Sequence, residues 1–333
     1  MIDLNKVKHD VLYHEERGLL TKYWVSIDGQ KYLFKTNYLT EADCETVTKT
    51  NFGEVLYSHL AKKFNFPCVE AELAVGKIYG KEVEGVLVKS FLHSEMEDSM
   101  GYKDMANFVS RLGYSPKNES NIDACASVAY YMAKYQDRTY DEATTRKDLA
   151  KLCIVDYFLG QGDRHGRNIE YIFDENFNLK LAPFFDNGFC LGFKYPKGLV
   201  NRYLNDPACQ ATNDFFGDPP FFFVTPYEKK EAYKDKEDLR RCRDLSNIID
   251  IIKLCDKDAE LKKLVDGFIN LDIRSELEAI NDNSKVQLPK EYIDFCEIIY
   301  KNRVAYYEKT LNNSKDFTDD KNSKNNDDVE MGL

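Results

Sequence analysis

The sequence predicts an α+β fold in two lobes, a small β-rich lobe at the N-terminus followed by a larger α-helical lobe. Residues 1–91 contain short runs of β-branched and aromatic side chains separated by turn residues, with one helical stretch among them. Residues 92–311 carry apolar side chains mainly at helical spacing. Residues 312–333 are mostly Asp, Asn, Ser and Lys, and we expect them to be disordered because they bury too little apolar surface to offset the entropy of ordering.

A hairpin is predicted early in the first lobe. Tyr23–Ile27 has the composition of a strand, Asp28 and Gly29 form a strong tight-turn signal, and Lys31–Lys35 is the returning strand. Lys35 therefore stands at the end of the second strand of this hairpin.

A helix and two more strands complete the first lobe. Apolar side chains between residues 52 and 64 share one helical face, and Pro67 ends the helix. Val69–Val75 and Val83–Lys89 have the composition of strands, with a turn at Gly80 between them.

The second lobe is predicted to contain helices and one hairpin. A short polar loop, Gly160–Asn168, connects a helix to this hairpin. Residues 186–226 are rich in Gly, Pro, Asn and Phe, which indicates an irregular segment. Shorter helices are expected up to about residue 281. The longer predicted elements are helices over Met105–Leu112, Asp123–Gln136, Asp148–Leu159, Asp238–Leu254 and Pro289–Leu311, and hairpin strands over Ile169–Phe173 and Leu179–Phe185.

The charge balance argues against two classes of partner. The chain has 57 acidic and 46 basic residues, a net charge of −11. Such a chain has no general attraction for phosphate backbones or anionic membrane surfaces. We therefore expect no direct nucleic-acid binding, although a local basic patch would not show in this balance.

The cysteines and the N-terminus indicate the compartment. Nine scattered cysteines without a Cys-x-x-Cys pair predict free thiols rather than disulfides or a zinc site. Met1–Asp10 is polar, and no stretch approaches the roughly 18 apolar residues of a membrane-spanning helix. We expect a cytoplasmic protein without a membrane span; non-classical secretion, or translocation into a host cell, would leave no such signal.

Three polar residues around the second hairpin have the pattern of a phosphoryl-transfer site. Asp163 and Asn168 stand five residues apart in the polar loop, the spacing of the catalytic-loop Asp and metal-binding Asn of protein kinases. Asp186 ends the hairpin, which folds the chain back toward Asn168, and both side chains offer the oxygen ligands that Mg²⁺ prefers. Asp and Asn also favour ordinary turns, so the first two alone fit either interpretation. Asp186 favours the metal site.

A lysine and a glutamate of the first lobe fit the same chemistry. Lys35 ends a strand from which it could reach the phosphates of a nucleotide, and Glu54 stands 19 residues later on the predicted helix. In kinases a Lys–Glu ion pair of this kind orients the lysine. Glu41 and Glu45 compete with Glu54 for this role. A solvent-exposed surface lysine is the alternative interpretation of Lys35, and we prefer the functional one.

Two further segments are candidates for nucleotide contacts. The loop before the first hairpin has a single glycine, Gly18, and its backbone amides together with Arg17, Thr21 or Lys22 could bind phosphate; a plain turn fits equally well. The residues Lys89 to Leu92, with Phe91 among them, would form the hinge between the lobes, where backbone groups could pair with adenine.

Other residues near the polar loop are expected to hold it in place. For His165 we prefer a bracing hydrogen bond to a catalytic role. Asp156 lies in an otherwise apolar helix and needs a partner, and we expect it to fix the backbone of the polar loop. Arg164 could contact either a substrate phosphate or a carboxylate such as that of Asp156. The Phe-rich clusters at 215–216 and 221–223 are interpreted as core, with an activation-segment plug or docking patch as the alternative.

The chain resembles the HipA-like kinases, particularly their short, stand-alone, cell-translocating type, over about residues 15 to 310. The strand ending in Lys35 with the Glu54 helix matches diffusely. Leu159–Asn168 is similar to the family's Gly-x-x-Asp-Arg-His-x-x-Asn, and Leu181–Asp186 to its Leu-Ala-Pro-x-Tyr-Asp. The resemblance implies a bilobal protein-kinase-like fold and a serine/threonine protein kinase that uses ATP and Mg²⁺. It makes Asp163 the catalytic base, Asn168 and Asp186 the metal ligands, and Lys35 the phosphate-binding lysine.

Regulation and partners are where the chain departs from the family. Family members autophosphorylate a serine in the phosphate loop, whereas this loop offers Thr21 and no serine between Arg17 and Lys22. Long HipA proteins carry an extra N-terminal subdomain and pair with a DNA-binding antitoxin. This chain begins close to its own phosphate loop, so the resemblance leaves an antitoxin partner open, while ATP and a protein substrate are expected.

Two other functions stay open from the sequence. The string from Gly162 to Ile169 also resembles the catalytic loop of phosphoinositide kinases, which usually continue with Asp-Phe-Gly where this chain has Asp186-Asn187-Gly188. A phosphoinositide or small-molecule kinase would use the same metal site. A catalytically silent, kinase-like binding protein is the second alternative.

Overall fold

The structure is a computed structural model that describes residues 1–15, 20–39, 48–78, 80–94, 96–114, 121–206, 248–282 and 287–327. Gly18, Arg17, Glu41, Glu45 and both Phe-rich clusters therefore lie outside the described residues. In the described part of the chain, no helix is both long and apolar enough to cross a membrane.

The first lobe is a six-stranded sheet with one helix packed against it. The strand order is β1-β5-β6-β4-β3-β2, and all pairs are antiparallel except β1 with β5. The elements are β1 (Ile2–Asp3), β2 (Asp10–Glu15), β3 (Leu20–Ile27), β4 (Gln30–Leu39), α1 (Thr50–Phe64), β5 (Ala71–Ile78) and β6 (Lys81–Lys89). The fold class predicted from the sequence is confirmed, with the short strands β1 and β2 added at the two edges.

The hairpin of β3 and β4 turns where the sequence predicts. Ile27 pairs with Gln30, and Asp28 and Gly29 between them have φ of 50° and 80°, as a two-residue turn requires. The register places Lys35 opposite Lys22 on one face and Phe34 opposite Tyr23 on the other. Phe34 packs in a small cluster on the outer face with Leu4 and Val25, so Lys35 lies on the face toward the rest of the molecule.

The second lobe combines helices with a four-stranded sheet of order β7-β9-β10-β8. The strands β9 and β10 form the predicted hairpin, with Leu181 opposite Tyr171. The elements are β7 (Asp98–Gly101), α2 (Tyr102–Arg111), α3 (Asn121–Tyr135), β8 (Thr139–Tyr140), α4 (Glu142–Phe158), β9 (Glu170–Phe173), β10 (Asn178–Leu181), a 3₁₀ turn at Cys190–Gly192, α5 (Lys197–Asn205), a helical segment at 248–255, α6 (Ala259–Ile269), α7 (Ile273–Asp282) and α8 (Lys290–Asp327).

Three helices differ from the sequence prediction. α4 begins six residues earlier than expected because Asp141 caps its N-terminus, accepting a hydrogen bond from Thr144 N. α5 lies in the segment expected to be irregular. α8 continues to Asp327, past Leu311, so the backbone is helical over residues 312–327, where composition predicts disorder. Once a helix is nucleated by a packed face, each added residue contributes one hydrogen bond, which composition alone does not register.

The main core crosses the boundary at residue 91 that the sequence suggests. Phe52, Leu56 and Tyr57 of α1 are fully buried in one cluster with side chains of α4, α6 and α8. Phe158 is at its centre, stacked on Phe268 at a ring distance of 5.4 Å. The helix of the first lobe is thus held by the packing of the second.

Replacing Phe158 with alanine should destabilise the fold by about 3–5 kcal/mol, because a fully buried aromatic ring leaves a cavity. Urea denaturation followed by circular dichroism measures this change. Phe177→Ala is the matched control, since that ring is 67% exposed and its contact is with Arg138. Its cost should stay within about 1 kcal/mol. Equal losses in the two variants would contradict the assignment of the core.

Candidate active site

A buried lysine joins the two lobes. Lys35 Nζ, on β4, donates to Glu54 Oε1 at 2.7 Å and to Asp186 Oδ1 at 3.0 Å. Lys35 and Glu54 are 7% and 3% exposed. Burial lowers the pKa of Lys35, but the carboxylates of Asp186 and Glu54 outweigh it and raise the pKa above its ordinary value. The ion pair expected between Lys35 and Glu54 is therefore present, and it extends to Asp186.

Asp186 is held in an unusual backbone conformation in the segment after β10, which ends at Leu181 and not at Phe185 as the sequence predicts. Its φ is 56°, in the left-handed region that Asp tolerates better than most residues. Its carbonyl accepts from Gln161 Nε2 at 3.0 Å, and its carboxylate is 42% exposed. Burial raises the pKa of Asp186, but the ammonium of Lys35 outweighs it and lowers the pKa to about 2, with a further contribution from Lys22. Asp186 therefore stays charged and offers carboxylate oxygen to the cleft.

The polar loop is folded tightly around its own side chains. Asn168 Nδ2 donates to the carbonyl of Asp163 at 2.8 Å, and Asp163 N donates to Gln161 Oε1 at 3.3 Å. Gln161 thus bridges Asp163 and Asp186. Burial and the nearby charge of Asp186 raise the pKa of Asp163, while His165 and Lys194 oppose the shift.

Arg164 is the scaffold beneath these residues. It is fully buried, and its Nε and Nη2 donate to the two oxygens of Asp156 at 2.9 and 3.2 Å. Its remaining hydrogen bonds reach the carbonyls of Asn168 and Phe185 at 3.2 and 2.5 Å and Asn187 Oδ1 at 2.6 Å. The expected pairing of Asp156 with Arg164 is confirmed. One guanidinium fixes the backbone on both sides of the hairpin, beside Asn168 and beside Asp186.

The Asp156 carboxylate is itself fully partnered. Tyr57 of α1 donates its hydroxyl to Asp156 Oδ1 at 2.8 Å. Burial raises the pKa of Asp156, and the charge and hydrogen bonds of Arg164 counteract that effect. Through the buried carboxylate of Asp156, Tyr57 of α1 and Arg164 of the polar loop are both linked to α4.

His165 has the bracing contact expected of it. Its Nδ1 accepts from Arg167 N at 3.3 Å, and its Nε2 lies 3.9 Å from Asp163 Oδ1. The ring is therefore close enough to influence the Asp163 carboxylate electrostatically.

Two residues proposed from the sequence are not brought to this cluster. Lys89 pairs with Tyr32 in the register and so lies on the outer face, where its Nζ donates to Glu70 Oε1 at 3.0 Å, while its N–H donates to Glu70 O. Thr21 lines a groove with His14 and Tyr23, away from Lys35. Strand alternation causes both outcomes, since neighbouring side chains point to opposite faces.

Lys22 and Phe91 take the positions nearer the site. Lys22 lies opposite Lys35 on the inner face. Phe91 packs against the buried Val86 and Val88 and faces the Phe185 ring at 5.6 Å. Since Val86 pairs with Lys35 in the register, these side chains form an apolar wall beside the lysine.

The arrangement fits a magnesium nucleotide. Asp186 offers carboxylate oxygen, and the hydrogen bond that fixes Asn168 Nδ2 leaves the amide oxygen of Asn168 available to a cation. Among the described residues, no group of three or more His, Cys, Asp or Glu side chains is placed so that it could hold a metal ion. Carboxylate and amide oxygens completed by phosphates and water are what Mg²⁺ needs when bound with a nucleotide.

Sequence reasoning missed Gln161 and Asn187. Asn187 Nδ2 donates to Phe184 O at 3.2 Å, and its N–H donates to Glu54 Oε2 at 3.0 Å. Both side chains are completely buried. In the sequence, Gln161 and Asn187 are marked only by being amide residues next to a glycine or an acidic residue of the motif. Many loops contain such residues.

Comparison with known proteins gives a family and a fold. The family model described as the HipA-like C-terminal domain matches residues 8–197. The crystal structure of a Helicobacter pylori proinflammatory kinase, CtkA, is similar with a TM-score of 0.61 and 15% identity, covering 94% of this chain and 98% of that one. The complex of HipA, HipB and operator DNA from Shewanella oneidensis gives a TM-score of 0.40 and 10% identity, covering 91% of this chain and 64% of that one. A search of curated proteins by sequence finds no match.

Replacing Arg164 with methionine should cost about 3–5 kcal/mol, because it leaves Asp156 as a buried charge without its partner. Chemical denaturation measures the loss. In the double variant with Asp156→Leu, much of the stability should return, since no unpaired charge is left. Arg111→Met, on the exposed end of α2, is the control and should change stability by less than about 0.5 kcal/mol. A tolerated Arg164→Met variant would contradict this account.

The pair of Lys35 and Asp186 should contribute a pH-dependent part of the stability. Because the pKa of Asp186 is lowered from 3.8 to about 2 in the folded protein, this contribution is complete above about pH 4 and is lost as the pH falls toward 2. Solvent screening of the half-exposed carboxylate limits it to about 1 kcal/mol. Unfolding free energies measured from pH 5 to 2 should fall more steeply in the wild type than in Asp186→Asn. Equal pH dependence of the unfolding free energy in the two proteins would contradict the prediction.

Proposed function

Because the chain belongs to the HipA-like C-terminal domain family, a family with kinase-like function, we propose that it is an ATP- and magnesium-dependent kinase acting on serine or threonine side chains of a protein. The observation that carries the proposal is the hydrogen-bonded cluster of Lys35, Glu54 and Asp186, which Gln161 joins to Asp163 and Asn168 of the polar loop. Phosphoryl transfer requires chiefly positioning and charge neutralisation, and this cluster supplies both.

The donor nucleotide would lie between the sheet and the polar loop. The apolar wall of Val86, Val88 and Phe91 suits the adenine ring, and the adjacent backbone at the hinge offers hydrogen-bonding groups. Lys35 would neutralise the phosphates, oriented by Glu54. Asn168 and Asp186 would hold the magnesium ion, which when bound neutralises charge on the transferring phosphoryl group.

Asp163 would position the acceptor hydroxyl and accept its proton. Its carboxylate is 41% exposed at the cleft, with its backbone fixed by Gln161 and Asn168. A raised pKa makes this carboxylate a better proton acceptor than an ordinary Asp. Its exposure leaves room for a side chain of a separate protein to approach.

The two alternatives make different demands. The metal site would serve a phosphoinositide or a small-molecule acceptor equally, so acceptor class is decided by assay. A silent binding protein has no need for a buried lysine held by two carboxylates, a costly arrangement that this structure nevertheless contains.

Asp163→Asn should lower phosphoryl transfer by about 10²–10⁴ while Mg-ATP still binds, because only the proton acceptor is lost. Asp186→Asn should also weaken magnesium-dependent ATP binding, which calorimetry measures. Transfer is followed with radiolabelled ATP, offered in parallel with protein substrates, phosphoinositide vesicles and small metabolites.

Asp266→Asn, a change at an exposed position of α6, is the matched control and should retain full activity. Unchanged transfer in both Asp163→Asn and Asp186→Asn would refute the kinase proposal. Label appearing only in lipid or in metabolites would refute the protein acceptor, and absence of Mg-ATP binding in the wild type would support the silent protein.

A further inference from the structure

Helix α1 touches the loop that carries Asp186 through two glycines, Gly53 of the helix and Gly188 of the loop. A Cβ atom placed on Gly53 would lie 2.6 Å from the carbonyl oxygen of Gly188, closer than real Cβ contacts occur. From the other side, a Cβ on Gly188 would lie 3.0 Å from Thr50. Glycine within a helix costs about 1 kcal/mol relative to alanine. The close approach of the two backbones explains why glycine stands at position 53 despite this cost.

The residues next to these glycines make the contacts of the site. Glu54 follows Gly53, and Asn187 precedes Gly188. Asn187 N donates to Glu54 Oε2 at 3.0 Å, while Glu54 Oε1 accepts from Lys35. The glycine contact therefore sets the distance at which Glu54 meets the loop that carries Asp186.

Both ends of α1 are attached to the second lobe. At the start, Lys49 N donates to Phe193 O at 3.0 Å. At the end, His59 Nε2 lies 2.7 Å from Glu276 Oε2, Lys63 pairs with the same carboxylate, and the Phe64 and Phe268 rings are 4.9 Å apart.

The sheet has a different attachment. The outer face of β4 packs in its own small cluster, and the sheet rests on α1 through Val55 and through Asn37 of β4, which accepts hydrogen bonds from the backbone of Thr48 and Asn51 at the start of that helix. The segment after α1 is bridged to the second lobe at Cys68 and Phe184. Lys35 is therefore the member of the ion-pair cluster whose element is least bound to the second lobe.

We infer that Gly53 and Gly188 are positioning residues that fix α1 and Glu54 to the loop of Asp186, so that the two carboxylates that hold Lys35 move as one unit. This inference rests on the proposed function for its catalytic consequence. It implies that α1 does not swing away from the loop of Asp186 when the cleft opens.

Native-state hydrogen exchange of the full chain tests the inference without any catalytic readout. The amides of α1 and the Asn187 amide should open with the same urea dependence as those of α4, in one cooperative unit. If α1 opens at lower urea while α4 stays closed, the inference is overturned.

Gly53→Ala tests the contact itself. The new methyl group must push α1 away from Gly188, so Asn187 exchange should accelerate at least tenfold, although alanine favours the helix. The turnover number should fall by roughly 10²-fold with a smaller change in KM, as for a displaced catalytic group. Gly198→Ala, at a helical glycine with no atom within 4 Å of the new group, is the matched control and should change neither quantity more than twofold.

The outcomes separate the two proposals. A folded Gly53→Ala protein, by its melting temperature, with wild-type Asn187 exchange overturns the inference. If Gly53→Ala does not fold, the wild-type exchange pattern decides. Expected exchange behaviour in a wild-type protein that transfers no phosphoryl group would support the inference and refute only the proposed function.

Discussion

The ammonium group of Lys35 is the constraint on which the rest of the site depends. A lysine that is 7% exposed is stable only with partners, and it has two, one on a helix and one on a loop 151 residues away. Satisfying this one charge brings β4, α1 and the end of the second hairpin to a single point. The cleft between the lobes has its polar end here.

A second buried cation supports the first from below. Arg164 orders the backbone beside Asn168 and beside Asp186 through a single planar group, which a lysine could not do. Its partner Asp156 is tied to Tyr57 of α1. The helix that presents Glu54 to Lys35 is thus connected to the second lobe by two routes, one to the polar loop through Asp156 and Arg164 and one to the loop of Asp186 through the glycine contact.

The buried side chains of the fold form separate clusters with different roles. The main core contains α1 together with the helices of the second lobe, and the outer face of the sheet has a core of its own. Rigid packing holds the groups proposed to bind metal and acceptor. The sheet, with Lys35 and the apolar wall, is attached to α1 through the hydrogen bonds of Asn37 and enters the main core through Leu73.

The sequence by itself determined the residue types and most of the local structure. Asp28-Gly29 specified its hairpin, the five-residue spacing singled out Asp163 and Asn168, and an acid in an apolar helix demanded a partner that proved to be Arg164. These features are local, or follow from the cost of burying a charge, so they are visible along the chain.

Only the tertiary structure decided which of the candidates meet. Strand alternation directed Lys35 and Lys22 inward but Lys89 and Thr21 elsewhere, and a one-residue difference in register would have reversed this. The roles of Gln161, Asn187 and Gly53 depend on contacts between segments far apart in the chain. Such contacts are set by the packing of whole elements, for which neither composition nor periodicity carries a signal.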